Sequence, residues 1–363
     1  MGDDVTYSIG FIGTGDPDGD GFGMAYHHAK GYQQRSDCEI IACADLIEEH
    51  AQKFADEHSI PDSHVYSDYE EMLDETAPDI ISICVPPAVH APVTIDCIQS
   101  GAVDAIHCEK PMASTWGECK DMAVEADRHG VQLTFNHQRR FAPEWRHAKE
   151  LLDTNQIGEL TRVETAAPDL FDWGTHCVDL CGMFVDEAAP KWVLGNIEAS
   201  EEHIVYGIEH ENQGLGLWEY ENGIFGTIST GGEGGHIDCG FIDALHRLRG
   251  TDGVIEVNPQ WGNDLPSLRI KRAGETSWSA VDVQECEETQ HDVAGAVDHA
   301  VSALDEGFEP EIGVKNALKS TELIFGIYES SRRRGRVEFP LDITDHPLAS
   351  MLESGEINRT SDR

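Results

Sequence analysis

Residues 172–179 read Asp-Trp-Gly-Thr-His-Cys-Val-Asp. On a helix this spacing sets Asp172 and His176 four residues apart on one face, with Asp179 three further along. A carboxylate beside a histidine fixes its orientation and favours its charged form. Such a pair suits a general base that removes a hydroxyl proton. The same spacing also fits a helix start whose aspartate only caps and whose histidine only packs. Two further clusters carry chemistry. Glu109-Lys110-Pro111 follows the apolar run Val103–His107, and Val85-Pro86-Pro87-Ala88-Val89-His90 closes the run Asp79–Val85. If both runs are parallel strands, both clusters lie on the carboxyl rim where open α/β sheets bind ligands. The plainer alternatives are a solvated salt pair and a proline turn.

The elements that must position these residues begin at Tyr7. YSIGFIGTG is an apolar strand that breaks at Gly13 and Gly15. A helix is expected from about Phe22 to Gln34, then a second strand ending on Asp45. Strand, glycine turn, helix and acid-terminated strand outline a dinucleotide-binding βαβ unit. Glycine lets backbone approach a pyrophosphate, and a helix start offers free N–H groups to it. Helix Leu46–His58, a capping box at Ser67-x-x-Glu70, strand Asp79–Val85, helix Ala91–Ser100 and strand Val103–His107 follow. Thr115-x-x-Glu118 caps the next helix, and Val131–Phe135 is the next strand. The alternation predicts a doubly wound parallel sheet. From Gly158 to about Val283 strand signals dominate, apart from a helix at Trp173–Phe184, so a second, mixed or antiparallel sheet is expected. Helices near Asp292–Leu304 and Val314–Arg332 follow it. The domains are read as 1–137 and 138–341, with 342–363 a loose polar tail.

Composition narrows the function. The formal charge is −43 at pH 7, with 40% hydrophobic residues. A folded core must therefore carry its excess acid outside, where self-repulsion is relieved by salt. This predicts a protein from a salt-accumulating, halophilic organism. Nucleic acid needs a basic face and is excluded as a partner. No apolar run reaches the roughly 18 residues of a membrane span. MGDDVTYSIG lacks the basic and apolar regions of a secretion signal, so a cytoplasmic protein is expected. The ten cysteines are scattered, several within apolar segments, as reduced buried thiols are. His176, Cys177 and Cys181 could suggest zinc, but no second ligand pair has suitable spacing, so no metal is expected. Asp16-Pro-Asp18-Gly-Asp20-Gly21 opens like a calcium loop, yet His27 stands where its closing glutamate belongs.

Together these clusters resemble the glucose–fructose oxidoreductase/inositol dehydrogenase (Gfo/Idh/MocA) family over roughly Tyr7 to Leu341. The resemblance rests on Gly13-x-Gly15, His28-Ala29, Asp45, Pro86-Pro87 with His90, and Glu109-Lys110-Pro111. It continues through Arg139-Arg140-Phe141 and Asp172-Trp-Gly-Thr-His176, then Arg249-Gly-Thr-Asp-Gly-Val-Ile-Glu256 and the ending IYESSRRRGRVEFPL. It implies an α/β protein: an N-terminal Rossmann domain, then an α/β domain with a large, mostly antiparallel open sheet that commonly forms homo-oligomers. It also implies NAD(P)-dependent oxidation of a CH–OH group in a sugar, inositol or related polyol. By this resemblance Lys110 sits beside the nicotinamide and the reacting oxygen, and Glu109 near the nicotinamide ribose. His176 is the acid/base and Asp172 its partner, while Gln138 and Arg139 face the substrate. Gly13, Gly15, Asp45, Val85, Pro86 and His90 line the cofactor. The third small residue of the fingerprint falls at Gly23 or Ala25, which makes Asp16–Gly21 an acidic insertion in the phosphate loop.

The residue types suit that chemistry. A hydride leaves carbon only as the hydroxyl loses its proton, and His176 can accept it while cationic Lys110 stabilises the developing alkoxide. Asp45 favours a ribose 2′-hydroxyl and repels a 2′-phosphate, so NAD is expected, with NADP the alternative. One departure stands out. Only ETAAPDLF separates Val163 from Asp172, without the family's glycines, so a wall of the substrate site is rebuilt. A non-catalytic sugar- or dinucleotide-sensing regulator of the same fold is the rival reading. Such relatives tend to lose the lysine or the histidine, and this chain keeps both.

Overall fold

Short apolar runs, buried on both faces, build the first sheet. The computed structural model describes residues 7–19, 23–231, 242, 244–259, 265–283 and 290–359. Strands β1 (Tyr7–Ile12), β2 (Cys38–Ala44), β3 (Val65–Tyr66), β4 (Ile80–Ile83), β5 (Ala105–Cys108) and β6 (Gln132–Phe135) alternate with helices. The helices are α1 (Met24–Gln33), α2 (Glu48–His58), α3 (Tyr69–Thr76), α4 (His90–Ser100) and α5 (Trp116–His129). All strand pairs are parallel, in the order β3-β2-β1-β4-β5-β6. This is the dinucleotide-binding order, with its switch point between β1 and β4. Every residue of β4 and β5 is buried, as a strand covered on both faces requires.

Two local expectations shift. Helix α1 starts at Met24, after a left-handed Gly23. Helix α3 is capped by Asp68, whose carboxylate accepts from the Glu70 N–H at 2.8 Å, and not by a Ser67 box. Phe22 and the insert residues Asp20 and Gly21 lie outside the described residues.

The chain then continues through α6 (Pro143–Asp153), β7 (Leu160–Ala167), α7 (Trp173–Phe184) and β8 (Pro190–Glu198). A small hairpin, β9 (Ile204–Val205) and β10 (Ile208–Glu209), precedes β11 (Gln213–Tyr220) and β12 (Phe225–Thr230). Next come β13 (Ala244–Gly250), β14 (Gly253–Pro259), β15 (Leu268–Arg272) and β16 (Ser279–Ala280). Helices α8 (Gln290–Glu306) and α9 (Val314–Arg333), strand β17 (Val337–Glu338) and helix α10 (Pro347–Glu353) complete the chain. Nine strands form one sheet in the order β16-β15-β14-β13-β7-β12-β11-β8-β17. Its β7–β12 pair is parallel and the other pairs are antiparallel. Helix α9 packs on one face, where Ile327 reaches Gly195 and Gly216 so closely that a Cβ on either would meet it at 2.7 Å.

Contacts divide the chain into two units: residues 1–114, 118–141 and 288–317, and residues 115–117, 142–287 and 318–363. Chain order places α8 in the second domain, but the first unit claims it. Gly31 of α1 explains why: a Cβ there would meet Val297 at 2.9 Å, so the two helices touch through a glycine. Val297 and Val301 thereby join Phe11, Tyr26, Tyr32 and Phe54 in one buried cluster. The tail expectation also changes. Residues 347–353 form α10, with Leu348 and Met351 buried, and Asp345 pairs with Arg332 of α9.

Candidate active site

In the first unit, the sheet order sets the carboxyl ends of β2, β1, β4, β5 and β6 in a row. Those ends carry Asp45, Gly13–Gly15, Val85-Pro86, Glu109-Lys110 and Gln138-Arg139. Gly13 has φ +81° and a Cβ there would strike Val85 Cγ1 at 2.6 Å and the Val85 nitrogen at 2.9 Å. Gly15 has φ +61°, and a Cβ there would meet nothing within 4 Å. The first glycine therefore packs the turn against β4, and the second opens onto free space. Asp45 organises this loop: its Oδ2 accepts from the Thr14 N–H at 2.8 Å and the Gly15 N–H at 3.0 Å. Its Oδ1 accepts from the Ile47 N–H at 2.9 Å and retains a lone pair for a second donor. Ala25, in the first turn of α1, is buried in the core, while Gly23 turns the chain into the helix.

The acidic insert has a counter-ion within the chain. Lys53 of α2 reaches Asp16 at 2.7 Å and Asp18 at 2.6 Å. Its side-chain hydrogen bond holds the Asp16 carboxyl below the usual range. The two carboxylates thus pair with an ammonium of the same unit.

Glu109 is buried and fully engaged. Its Oε1 receives His28 Nε2 at 2.9 Å and Asn136 Nδ2 at 2.7 Å, and its Oε2 accepts from the Lys110 N–H at 3.2 Å. His28 in turn meets Ser82 Oγ at 2.7 Å through Nδ1. Burial pushes the Glu109 carboxyl up, but the bond and charge of His28, then Lys110 and Asn136, outweigh it and lower it to about 2. His90 is also fully buried, with Nδ1 2.7 Å from the Pro111 carbonyl and Nε2 2.8 Å from that of Val85. It braces two strand-end loops, with each ring nitrogen facing a backbone carbonyl. Pro86 is exposed and Val85 and Lys110 are half-buried. Gln138 opens a short 3₁₀ turn after β6, and its buried Oε1 has no hydrogen-bond partner. A ligand hydroxyl or amide would satisfy that acceptor.

In the second unit, Asp172 stands at the N-cap of α7 without a side-chain capping bond. The cap comes from Asp169, whose Oδ1 accepts from the Asp172 N–H at 2.6 Å and the Trp173 N–H at 3.1 Å. The capping alternative for Asp172 therefore falls away, and the helix carries Asp172 and His176 one turn apart. Gly174 is needed here, because a Cβ would lie 2.6 Å from the Asp169 carbonyl oxygen. His176 is buried with 4% exposure. The helix is anchored by His246 of β13, whose Nε2 donates to the Cys177 carbonyl at 3.0 Å while its Nδ1 accepts from Trp145 at 3.2 Å. Cys177 and Cys181 are buried, and no cluster able to hold a metal ion occurs among the described residues.

Several polar residues near this helix escaped the sequence reading. Glu211 is fully buried, and its Oε1 accepts from the Leu170 N–H at 2.8 Å and the Thr230 hydroxyl at 2.7 Å. Its Oε2 accepts from the Tyr328 hydroxyl at 2.6 Å. Burial first, then the charge of Asp169, raise its carboxyl to about 7. His210 lies 3.8 Å from Asp169. The sequence signal for them was weak: isolated polar residues within apolar stretches.

The fold and the glycine rim define a dinucleotide-binding α/β protein with a second sheet domain. Residues 7–137 match the family model described as "Oxidoreductase family, NAD-binding Rossmann fold" (GFO_IDH_MocA). The D-glucoside 3-dehydrogenase of Escherichia coli is 29% identical over 133 residues, 37% of this chain and 37% of that protein. The scyllo-inositol 2-dehydrogenase (NADP(+)) of Bacillus subtilis is 26% identical over 239 residues, 57% of this chain and 64% of that protein. The chain thus spans less than two thirds of either relative. Among solved structures, the aldose-aldose oxidoreductase of Caulobacter crescentus superposes with TM-score 0.76 at 18% identity, covering 92% of this chain and all of that one. The full two-domain fold is shared. The open space at Gly15 and the spare acceptor of Asp45 fit a dinucleotide.

Proposed function

We propose that this protein is a dehydrogenase that oxidises a hydroxyl of a sugar, inositol or related polyol. NAD supplies the hydride acceptor in this reading, and this chain's residues supply binding and proton transfer. Gly13, Gly15, Gly23 and Ala25 shape the phosphate loop, Asp45 takes a ribose hydroxyl, and Val85 and Pro86 flank the cofactor. His176 accepts the substrate hydroxyl proton, with Asp172 as its partner one helical turn away. Lys110 acts on the same oxygen, where a fixed cation stabilises developing negative charge. Gln138, through its unpaired Oε1, and Arg139 orient the substrate. The observation that carries the reading is that Asp169 caps α7, which relieves Asp172 of that task.

Asp45 supports NAD over NADP, since its carboxylate repels a 2′-phosphate. A homo-oligomer is supported by Leu194, Leu215 and Phe225, which stay 37–47% exposed on neighbouring strands β8, β11 and β12. Absorbance of reduced nicotinamide, followed with NAD and a panel of inositols, aldoses and glucosides in concentrated potassium chloride, tests the activity. Lys110→Ala and His176→Ala should each lower kcat at least about 100-fold and leave NAD affinity within about threefold of wild type. Unchanged turnover in both variants rules the assignment out.

A further inference from the structure

The segment 164–171 is where the chain departs from the family it resembles, lacking the glycines that usually precede the catalytic aspartate. The structure shows what stands there instead. Asp169 sits at the end of β7's exit loop and binds two N–H groups of the α7 start through one oxygen, at 2.6 and 3.1 Å. Its own carbonyl lies against Gly174, so the first turn of α7 is fitted to this residue on both sides. Across from it, His210 approaches the same Oδ1 at 3.8 Å. His210 is itself fixed, with Nδ1 donating to the Ile208 carbonyl at 2.9 Å. That bond places the Nδ1 proton and leaves Nε2, which has no hydrogen-bond partner, facing the carboxylate. Nε2 thus lies beside the carboxylate at 3.8 Å, in contact but beyond hydrogen-bond distance. Around the pair, Phe171 stacks edge-on to His210 and packs against His346. Glu211 fixes the Leu170 N–H from below.

We infer that Asp169 is a positioning residue: with His210 as its counter-group, it clamps the first turn of α7 and so sets the orientation of Asp172 and His176. This rests on the reading of Asp172 and His176 given above. Neither Asp169 nor His210 is offered as touching substrate. A cap that accepts two N–H groups needs an acceptor oxygen more than it needs charge. The packing of the His210 ring beside that carboxylate is a separate requirement. The two requirements separate in different variants. Asp169→Asn keeps an acceptor, Asp169→Ala removes it, and His210→Gln keeps a polar side chain without the imidazole ring.

The test compares the three variants with His176→Ala, using the polyol of highest wild-type turnover, NAD titration, and hydrogen exchange by mass spectrometry over residues 169–178. Asp169→Ala should lower kcat about 10-fold or more, because small misplacements of catalytic groups are costly. NAD affinity should hold, and amide exchange at the start of α7 should rise about 10-fold. Asp169→Asn should recover kcat and exchange to within about threefold of wild type. His210→Gln should show a smaller loss in the same direction, and wild-type behaviour there overturns the pairing. Equal losses in Asp169→Ala and Asp169→Asn, or none in either, overturn the clamp. If the polyol reading itself fails, no substrate turns over, and the exchange experiment alone decides the clamp. His176→Ala separates the two further, because it should abolish turnover without changing exchange at the cap.

Discussion

Gly13 and Gly15 lie two residues apart, both with positive φ, yet their substitution should fail in different ways. An alanine in the left-handed region costs about 1–2 kcal/mol at either site. At Gly13 the added Cβ also lands 2.6 Å from Val85 Cγ1, 2.9 Å from the Val85 nitrogen and 3.0 Å from the Cys84 carbonyl carbon. Two of these three are backbone atoms in the turn just after β4, which yield little. Overpacking of this kind costs about 1–3 kcal/mol more. Gly13→Ala should therefore destabilise by about 2–5 kcal/mol in urea unfolding. At Gly15 the Cβ enters open space, so only the backbone term applies to stability. That space is where a pyrophosphate would approach the loop. Gly15→Ala should thus weaken NAD binding at least about 10-fold, a loss of about 1.4 kcal/mol, while unfolding shifts by no more than about 2 kcal/mol. Both proteins are measured in the same concentrated salt, by urea titration and by NAD titration of tryptophan fluorescence. Gly15→Ala binding NAD like wild type, or destabilising more than Gly13→Ala, would refute the division of roles.

Glu211 should act in a definite pH window. Its carboxyl sits at about 7, above its ordinary 4.5, so the folded protein holds a proton that the unfolded chain releases, and stability falls as pH rises from about 4.5 through 7. Glu211→Gln should flatten that slope in urea midpoints between pH 5 and 8, and an unchanged slope counts against the assignment. Glu109 has the opposite sign. Lowered from 4.5 to about 2, its contribution is intact above about pH 4.5 and lost as pH falls through 2. His28→Ala strands that carboxylate and should cost about 3–5 kcal/mol at pH 7; a loss under about 1 kcal/mol would remove the pair from the account. Lys53→Ala releases Asp16 and Asp18 beside the phosphate loop, so NAD affinity should drop a few-fold in dilute buffer and recover in molar salt, where the Debye length is about 3 Å. Affinity that ignores salt in this variant argues against the electrostatic role. For the whole chain, a charge of −43 predicts a thermal midpoint that climbs steeply with potassium chloride, and equal midpoints in dilute and concentrated salt would contradict a salt-adapted surface.

The parts of the molecule that repeat locally were legible in the chain. The strand–helix alternation through Phe135 gave five of the six strands of the parallel sheet, because apolar runs of four to seven residues bounded by turns are a local property; the two-residue edge strand β3 is too short to leave such a run. Glycines at 13 and 15 announced the turn because only positive φ and close backbone approach demand them there. The four-residue step from Asp172 to His176 was readable because it depends on helix pitch alone. What could not be read is which residue caps that helix. Asp169 and Asp172 are equivalent candidates in sequence, and the choice follows from Gly174 admitting the Asp169 carbonyl.

The misses share one cause, and it concerns polar residues inside the fold. His28 reaches Glu109 across 81 positions, and Leu170 reaches Glu211 across 41. Trp145 meets His246 across 101. Each pairing satisfies a buried donor or acceptor whose desolvation would otherwise cost several kcal/mol, so each is obligatory once the chain has folded. None of them leaves a periodic trace. Hydrophobic periodicity records which face of an element is inward, but it does not record what a lone inward polar group will meet. The same reasoning explains the acidic loop. An excess of acid on the surface looks hostile to a bound pyrophosphate when charges are counted along the chain. Lys53, more than thirty positions from Asp16, neutralises two of those acids in space. Lys53 therefore bears on whether the insert repels NAD, and salt concentration sets how much that lysine matters.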